Sequence, residues 1–513
     1  RLKGANIFGG ICINLLRNPR WGRAQECYGE DPFLTGRMAE RVVSAVQASG
    51  IIAMPKHFAL NSIENLRFVI SADSDERTLH EVYFPHFKRC IDAGAWSVMS
   101  AYNKLNGEYC GENAYLLNDV LREQWGFDGL VGSDFVWGVH DTAGSLNAGC
   151  DLEMPVPRYH TYRAIRKAIR AGPLTEATVD VCVSRVLRTY IRAYASMKEY
   201  DPALRKCDAH YDVAEKAALE GITLLKNGGL LPLEVSSPVA VVGPYADVIN
   251  IGDAGSSSVV AKDTVTPYAG MQEHFDTVKL SNGTNVERAL AAARDVTTVV
   301  VCVGCNRRDE GEALVNVREN TTGESARKHM GGDREFLGLK PEEVALVNAM
   351  KKADKKVVVV VTTGSAVLTE EIEESADAIV LAYYAGVRGG RALAKLLAGE
   401  ANFSGKLPIT VAKREEDYPR FHEIGEKPYV CRYGYYHGYT LFDKEGMDVR
   451  YPFGFGLSYT TFELTEQRFH QSKNGIAVSC RVRNTGTVTG AEVVQVYVGS
   501  TNSTDDRPVK TLK

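Results

Sequence analysis

Apolar and polar positions alternate in short blocks along the first two hundred residues. Ile51–Phe58, Trp96–Asn103 and Gly129–Phe135 are apolar runs of strand length, while Val82–Ala93 and Leu116–Gln124 between them carry helical spacing. Strands alternating with helices predict a parallel sheet or barrel. Each apolar run also ends on reactive groups: Lys56-His57, Tyr102-Asn103 and Ser133-Asp134. The C-terminal strand ends of a β/α barrel form its active face, so this repetition predicts a (β/α) barrel over residues 1–200. Tyr162–Met197 reads as helical, with a break near Pro173.

A second α/β pattern follows. Val239–Gly243, Thr298–Gly304, Val357–Gly364 and Ile379–Ala385 read as buried parallel strands, with Pro341–Lys352 and Arg391–Ala398 as helices. They predict a three-layer α/β sandwich over 226–415, reached through a linker over 201–225. No G-x-G-x-x-G follows any of these strands, which argues against a dinucleotide site. Gly386–Gly390 opens a helix and reads as a tight loop rather than an anion cradle. A connecting segment over 416–461 holds the aromatic, glycine-rich stretch Tyr433–Tyr459, which fits a sugar-lining wall or packing between domains equally well. From Phe462 the alternation has a period of two. Ile476–Val482 and Ala491–Val498 read as two such strands, joined through Asn484-Thr485-Gly486, and suggest a β-sandwich cut short over 462–513.

Composition narrows the function classes. The chain has 513 residues, 44% hydrophobic and 24% charged, with a net charge of −4. That balance gives no footprint for nucleic acid or an anionic membrane. No uncharged apolar run reaches the length of a membrane span. Eleven cysteines at irregular spacing spell no disulfide framework, and the lone pair Cys302 and Cys305 reads as buried, inert thiols. The chain opens on Arg1, shows no signal peptide, and ends at Lys513 inside a β pattern, so both ends read as cut.

The chemistry is concentrated in a few places. Asp134, emerging from a core strand at a barrel mouth, can attack an anomeric carbon, or it can simply cap the next helix. Lys56 and His57 can donate to sugar hydroxyls, or form a lysine–carboxylate pair beside a capped histidine. No second histidine sits at metal-ligand spacing. Around Trp21-Gly22-Arg23, the acids Glu26, Glu30 and Asp31 could pair with Arg17, Arg20 and Arg23 in a structural network. A retaining glycosidase needs a second carboxyl about 5–5.5 Å from the first. The polar segment Asn306–Arg334 offers Asp309, Glu310, Glu312, Glu319, Glu324 and Asp333, although its composition also suits a solvated loop.

Seven motifs in order resemble glycoside hydrolase family 3. They are Arg17-Asn18-Pro19-Arg20-Trp21-Gly22-Arg23, Gly29-Glu30-Asp31-Pro32, Lys56-His57-Phe58, Ser97-Val98-Met99-Ser100-Ala101-Tyr102-Asn103, Gly132-Ser133-Asp134, Gly405-Lys406-Leu407-Pro408 and Tyr451–Tyr459. The resemblance implies a (β/α)8-type barrel, an α/β sandwich domain and a truncated fibronectin-III-like β-sandwich. It implies that the barrel is N-terminally incomplete here, lacking an early region that supplies an aspartate to sugar hydroxyls.

The resemblance also implies site roles. Asp134 would be the nucleophile. Arg23, Lys56 and His57 would hold hydroxyls in the first subsite, Tyr102 would stand beside the nucleophile, and Met99 would line that wall. Phe135 takes a place where many β-glucosidases carry tryptophan. Arg308-Asp309-Glu310-Gly311-Glu312 matches an acid/base loop of R-x-x-G-E spacing, completed by Gly332-Asp333 and Leu337, so Glu312 would be the acid/base, with Glu324 and then Glu310 as alternatives. The expected activity is that of a retaining, exo-acting β-glucosidase on small oligosaccharides or aryl and alkyl glycosides. No metal or organic cofactor, nucleic acid or membrane is expected. A homodimer and a secreted or periplasmic location are compatible with the resemblance. A β-xylosidase or α-L-arabinofuranosidase is the alternative within the family, and a non-catalytic sugar-binding fragment the alternative outside it.

Overall fold

The computed structural model describes residues 4–313, 331–420, 429–473 and 475–513. They form two compact units. The first comprises Arg1–Arg205, Glu312–Asp333 and Pro419–Gly438; the second comprises Lys206–Gly311, Arg334–Tyr418 and Tyr439–Lys513.

The first unit is built on short parallel strands: β1 (Ile7–Cys12), β2 (Ile52–Lys56), β3 (Ser97–Met99) and β4 (Leu130–Gly132). β1 pairs with β2 and β3 with β4, while parallel bridges Phe58↔Ser100 and Gly132↔Leu152 continue the row in chain order. The ladder runs past the strand ends. Ile13 N donates to Lys56 O, Phe58 N to Met99 O, Ser100 N to Gly132 O and Ser133 N to Leu152 O, at 2.8–2.9 Å. This register levels Phe58, Ser100 and Ser133 at one rim, each of the outer two one residue from His57 or Asp134. β2, β3 and β4 are buried throughout, as parallel strands covered on both faces must be, so they read as continuous apolar runs, whereas β1 is buried only at Ile11 and Cys12.

Helices Pro32–Gln47 and Pro85–Asp92 fill the connections, and Tyr115–Gln124 is wound as a π-helix. Asp31 caps the first of these, accepting from Leu34 N at 2.7 Å with proline at the first turn. The Gly-Glu-Asp-Pro motif is therefore a helix start. The stretch Tyr162–Met197 forms two helices, Tyr162–Ala171 and Glu176–Ala195, parted at Pro173 as expected.

The second unit holds β5 (Thr223–Asn227), β6 (Val239–Gly243), β7 (Val278–Asn282), β8 (Thr298–Gly304), β9 (Lys356–Thr362) and β10 (Ala378–Leu381) in one sheet, ordered β7-β6-β8-β9-β10-β5. All pairings are parallel except β5, which runs antiparallel along β10 at the edge. The valines of β8 and β9 are fully buried. Helices Pro267–His274 and Gly389–Leu397 pack so closely that the Cα of Gly270 lies against the Gly390 carbonyl.

Three expectations are corrected. Residues 201–225 are not a linker: Asp208–Gly221 is a helix packed on Gly389–Leu397, and Thr223–Asn227 is the edge strand. Its mostly polar surface concealed that helix. The segment 416–461 is not a separate connector, because Val430–Arg432 adds a parallel strand beside Ser71–Asp73 in the first unit. Finally, Ala491–Val498 is not a strand along its length: only Tyr497–Val498 is, paired with Thr511–Leu512, while Gly475–Asn484 pairs with Phe462–Ser472. The two long strands form an antiparallel hairpin, and hairpin closure over a short turn outcompetes a more distant partner. Among the described residues, no helix is long and apolar enough to cross a membrane.

Candidate active site

Asp134 is the first side chain beyond the β4 ladder. Ser133 locks that strand end: its hydroxyl donates to Asp134 O at 2.8 Å and accepts from Met154 N at 3.0 Å. Phe135 N donates to Asp134 Oδ1 at 2.7 Å. Oδ2 is buried, has no hydrogen-bond partner among the described residues, and lies 3.6 Å from His57 Nε2. Burial raises the carboxyl above its ordinary range, opposed by the positive charges of Arg67, Arg23 and Lys56. One oxygen is thus held and the other left to react.

His57 is fixed at the end of β2 by Asn14, whose amide oxygen accepts from His57 N and whose amide nitrogen donates to His57 O, both at 2.9 Å. Burial first, then Arg23, Lys56 and Arg67, hold its imidazole well below the ordinary range, so it is neutral. Its Nε2 lies 3.1 Å from Arg23 Nη1. Arg23 is itself buried and grips Glu26 with two bonds of 2.7 and 2.9 Å; Lys56 Nζ lies 3.8 Å from the same carboxylate. Burial works against the Arg23 charge, but Glu26, Glu64 and Glu312 more than offset it. Of the ion pairs expected around Trp21, the Arg23–Glu26 pair is present.

Glu312 joins this group. Its Oε1 lies 3.6 Å from Arg23 Nη1 and 3.2 Å from Arg67 Nη2. Contacts of 3.6, 3.1 and 3.6 Å therefore connect Asp134, through His57 and Arg23, to Glu312. The third acid/base alternative, Glu310, lies elsewhere: it is buried in the second unit, accepting from Gly364 N and Tyr384 Oη at 2.6 Å. Glu324 lies outside the described residues.

The remaining expected residues divide. Tyr102 donates from Oη to Phe135 O at 2.7 Å, and its hydroxyl is pushed up by burial and then by Asp134. Phe135 is half exposed at the rim. Met99 is buried with Met54, Leu130 and Met154 in an apolar cluster beneath the strand ends. The pair Cys302 and Cys305 is buried in the second unit, and burial pushes both thiols up to about 12.

Sequence reasoning passed over Arg67 and Glu64. Arg67 is sandwiched against Phe68 and Tyr102, each ring 4.8 Å from its Cζ, and binds both Glu312 and Glu64. Glu64 accepts from Trp21 Nε1 and Ala313 N, and burial pushes its carboxyl up to about 7 against the pull of Arg67. The available signal was a glutamate and an arginine three residues apart just past the Lys-His strand end.

Comparison with known proteins now bears on this geometry. A family model described as the glycosyl hydrolase family 3 N-terminal domain matches residues 11–189, and one described as the C-terminal domain matches residues 222–459. A thermostable beta-glucosidase B of Acetivibrio thermocellus is 34% identical over 536 residues, covering 100% of this chain and 68% of the relative. The chain belongs to glycoside hydrolase family 3. Its two matched regions follow the two-domain α/β organisation of that family, and it is a glycoside hydrolase. An exo-alpha-(1->6)-L-arabinopyranosidase of Bifidobacterium longum is also 34% identical, over 98% of this chain and 67% of its own. Beta-glucosidase 3B from Thermotoga neapolitana, solved in complex with glucose, superposes with a TM-score of 0.88 at 31% identity, over 99% of this chain and 75% of that one.

Proposed function

We propose that this family 3 enzyme is a retaining, exo-acting β-glucosidase that releases terminal β-D-glucosyl residues, with Asp134 as nucleophile and Glu312 as acid/base. The observation that carries the reading is the Asp134 carboxylate. It sits at a strand end with one oxygen held by a backbone N–H and the other buried, unbonded and facing His57. Such a group can attack an anomeric carbon without first shedding a hydrogen bond. The parallel row β1–β4 is the wall of a (β/α)8-type barrel in this proposal, and Phe462–Lys513 is part of a fibronectin-III-like sandwich.

Neutral His57 and the cations Arg23, Lys56 and Arg67 supply donors for sugar hydroxyls around Asp134, and Phe135 offers a ring at the rim. Glu312 protonates the departing glycosidic oxygen as Asp134 bonds to the anomeric carbon, then takes a proton from the water that releases the sugar with retained configuration. The two guanidiniums beside Glu312 favour its carboxylate, the form needed in the second step. For the first step a sugar whose hydroxyls draw on the Arg23 and Arg67 donors frees Glu312 to carry a proton.

Incubation with a 2-deoxy-2-fluoro β-glucoside, followed by peptide mapping, is expected to place a covalent sugar on Asp134. An adduct on another residue, or near-normal turnover by Asp134→Ala, refutes the assignment. The equal identity to the Bifidobacterium longum arabinopyranosidase, together with phenylalanine at position 135, favours pentopyranosides as a second substrate class. A panel of nitrophenyl β-glucoside, β-xyloside and α-L-arabinosides separates the two, and sugar binding without hydrolysis would leave a non-catalytic module.

A further inference from the structure

One buried carboxylate ties together the two chain segments that deliver the arginines to Glu312. Asp333 Oδ1 accepts from Gly22 N at 2.9 Å and Glu64 N at 3.0 Å; its Oδ2 accepts from Glu64 N at 3.0 Å and Asn65 N at 2.8 Å. Gly22 directly precedes Arg23, and Glu64-Asn65 lies one turn before Arg67. Ala313, next to Glu312, is held to the same segment. Ala313 N donates to Glu64 Oε2 at 3.1 Å, and Arg67 Nη2 donates to Ala313 O at 2.9 Å. Glu312 thus stands between two arginines whose backbones meet on one side chain.

We infer that Asp333 is a positioning residue for the acid/base, setting Arg23 and Arg67 against Glu312 by clamping the backbones at Gly22 and Glu64-Asn65. The inference rests on the glycosidase reading above. Three amide N–H groups converge on two carboxylate oxygens, a demand only a carboxylate meets: an asparagine would keep one acceptor and turn an NH2 group toward the remaining donors. Buried N–H groups left without acceptors must move or stay unsatisfied, and both outcomes shift the segments that carry the arginines.

The test is a two-substrate comparison on the full chain. A 2,4-dinitrophenyl glucoside needs little protonation of its leaving group, whereas an alkyl glucoside depends on it. Asp333→Asn is expected to lower kcat/KM on the alkyl glucoside about 10- to 100-fold, a partial loss of the roughly 100- to 10,000-fold that general acid catalysis contributes. The dinitrophenyl substrate should lose less than about 3-fold if glycosylation by Asp134 is undisturbed. Asp333→Glu, whose carboxylate still reaches the donors, should recover part of the loss. Glu312→Ala is expected to show the same split in stronger form, and Asp134→Ala to lose both substrates. If these two controls behave so and Asp333→Asn loses both substrates equally, or neither, the positioning role is overturned while the catalytic reading stands. If Asp134→Ala turns over normally, the catalytic reading fails and the clamp falls with it. Should Asp333→Asn not accumulate as folded protein, the same ratio is read on Asp333→Ser and Asp333→Glu.

Discussion

Replacing Arg23 by methionine keeps the side chain's apolar stem and removes a charge that the fold has enclosed. In the native arrangement Glu26 receives two guanidinium bonds of 2.7 and 2.9 Å, and both side chains are more than nine-tenths buried. Without Arg23, among the described residues Lys56, at 3.8 Å, is the cation left against the Glu26 charge. Breaking a buried pair from one side typically costs about 3–5 kcal/mol, because the survivor stays desolvated. The nearby lysine puts the expected loss at the lower end, about 3 kcal/mol. For a domain of 150–250 residues that corresponds to a fall in Tm of roughly 6–12 °C, readable by calorimetry.

The double variant Arg23→Met/Glu26→Leu separates stability from function. Replacing both partners with apolar groups of similar size is close to neutral, so most of the Tm should return. Activity should not return, since the contacts to His57 and Glu312 are still gone. A single-variant loss below about 1 kcal/mol, or a double variant no more stable than the single, would refute the buried-pair reasoning.

Other measurements bear on the same site and on the second unit. Because His57 is neutral across the working range, His57→Asn should lower kcat/KM yet leave both limbs of the pH profile in place; a limb that vanishes contradicts a neutral imidazole. Burial raises the Asp134 carboxyl, so the nucleophile is charged only above a pKa higher than the ordinary value of about 3.8. Activity on an activated glycoside should therefore fall as pH drops through a point above that value, and an acid limb at or below it counts against Asp134 as the titrating group. In the second unit, a Cβ on Gly270 would meet the Gly390 carbonyl oxygen at 2.1 Å. Gly270→Ala should cost about 1–3 kcal/mol by forcing two helices apart, and an unchanged Tm would show that the pair can separate freely.

Much of this arrangement was already written in local chemistry. Apolar runs of strand length read as buried strands, and three of them end in Lys56-His57, Tyr102-Asn103 and Ser133-Asp134, the reactive groups, because a parallel strand buried on both faces exposes only its ends. Proline and an N-cap acid marked the start of the helix at Pro32, and Pro173 marked a break, since both act through their own backbone. What depends on distant partners was not legible. The helix over Asp208–Gly221 passed for a linker because its contacts come from Gly389–Leu397. The hairpin partner of Gly475–Asn484 was not legible because strand pairing is a choice between surfaces of similar pattern. Arg67 and Glu64 gave no isolated signal, since a charged residue reads as solvated until the tertiary structure buries it beside its counter-charge. Only three-dimensional packing brought Glu312 between two arginines and joined their segments at one carboxylate, because Coulomb and hydrogen-bond terms depend on distance in space and not along the chain.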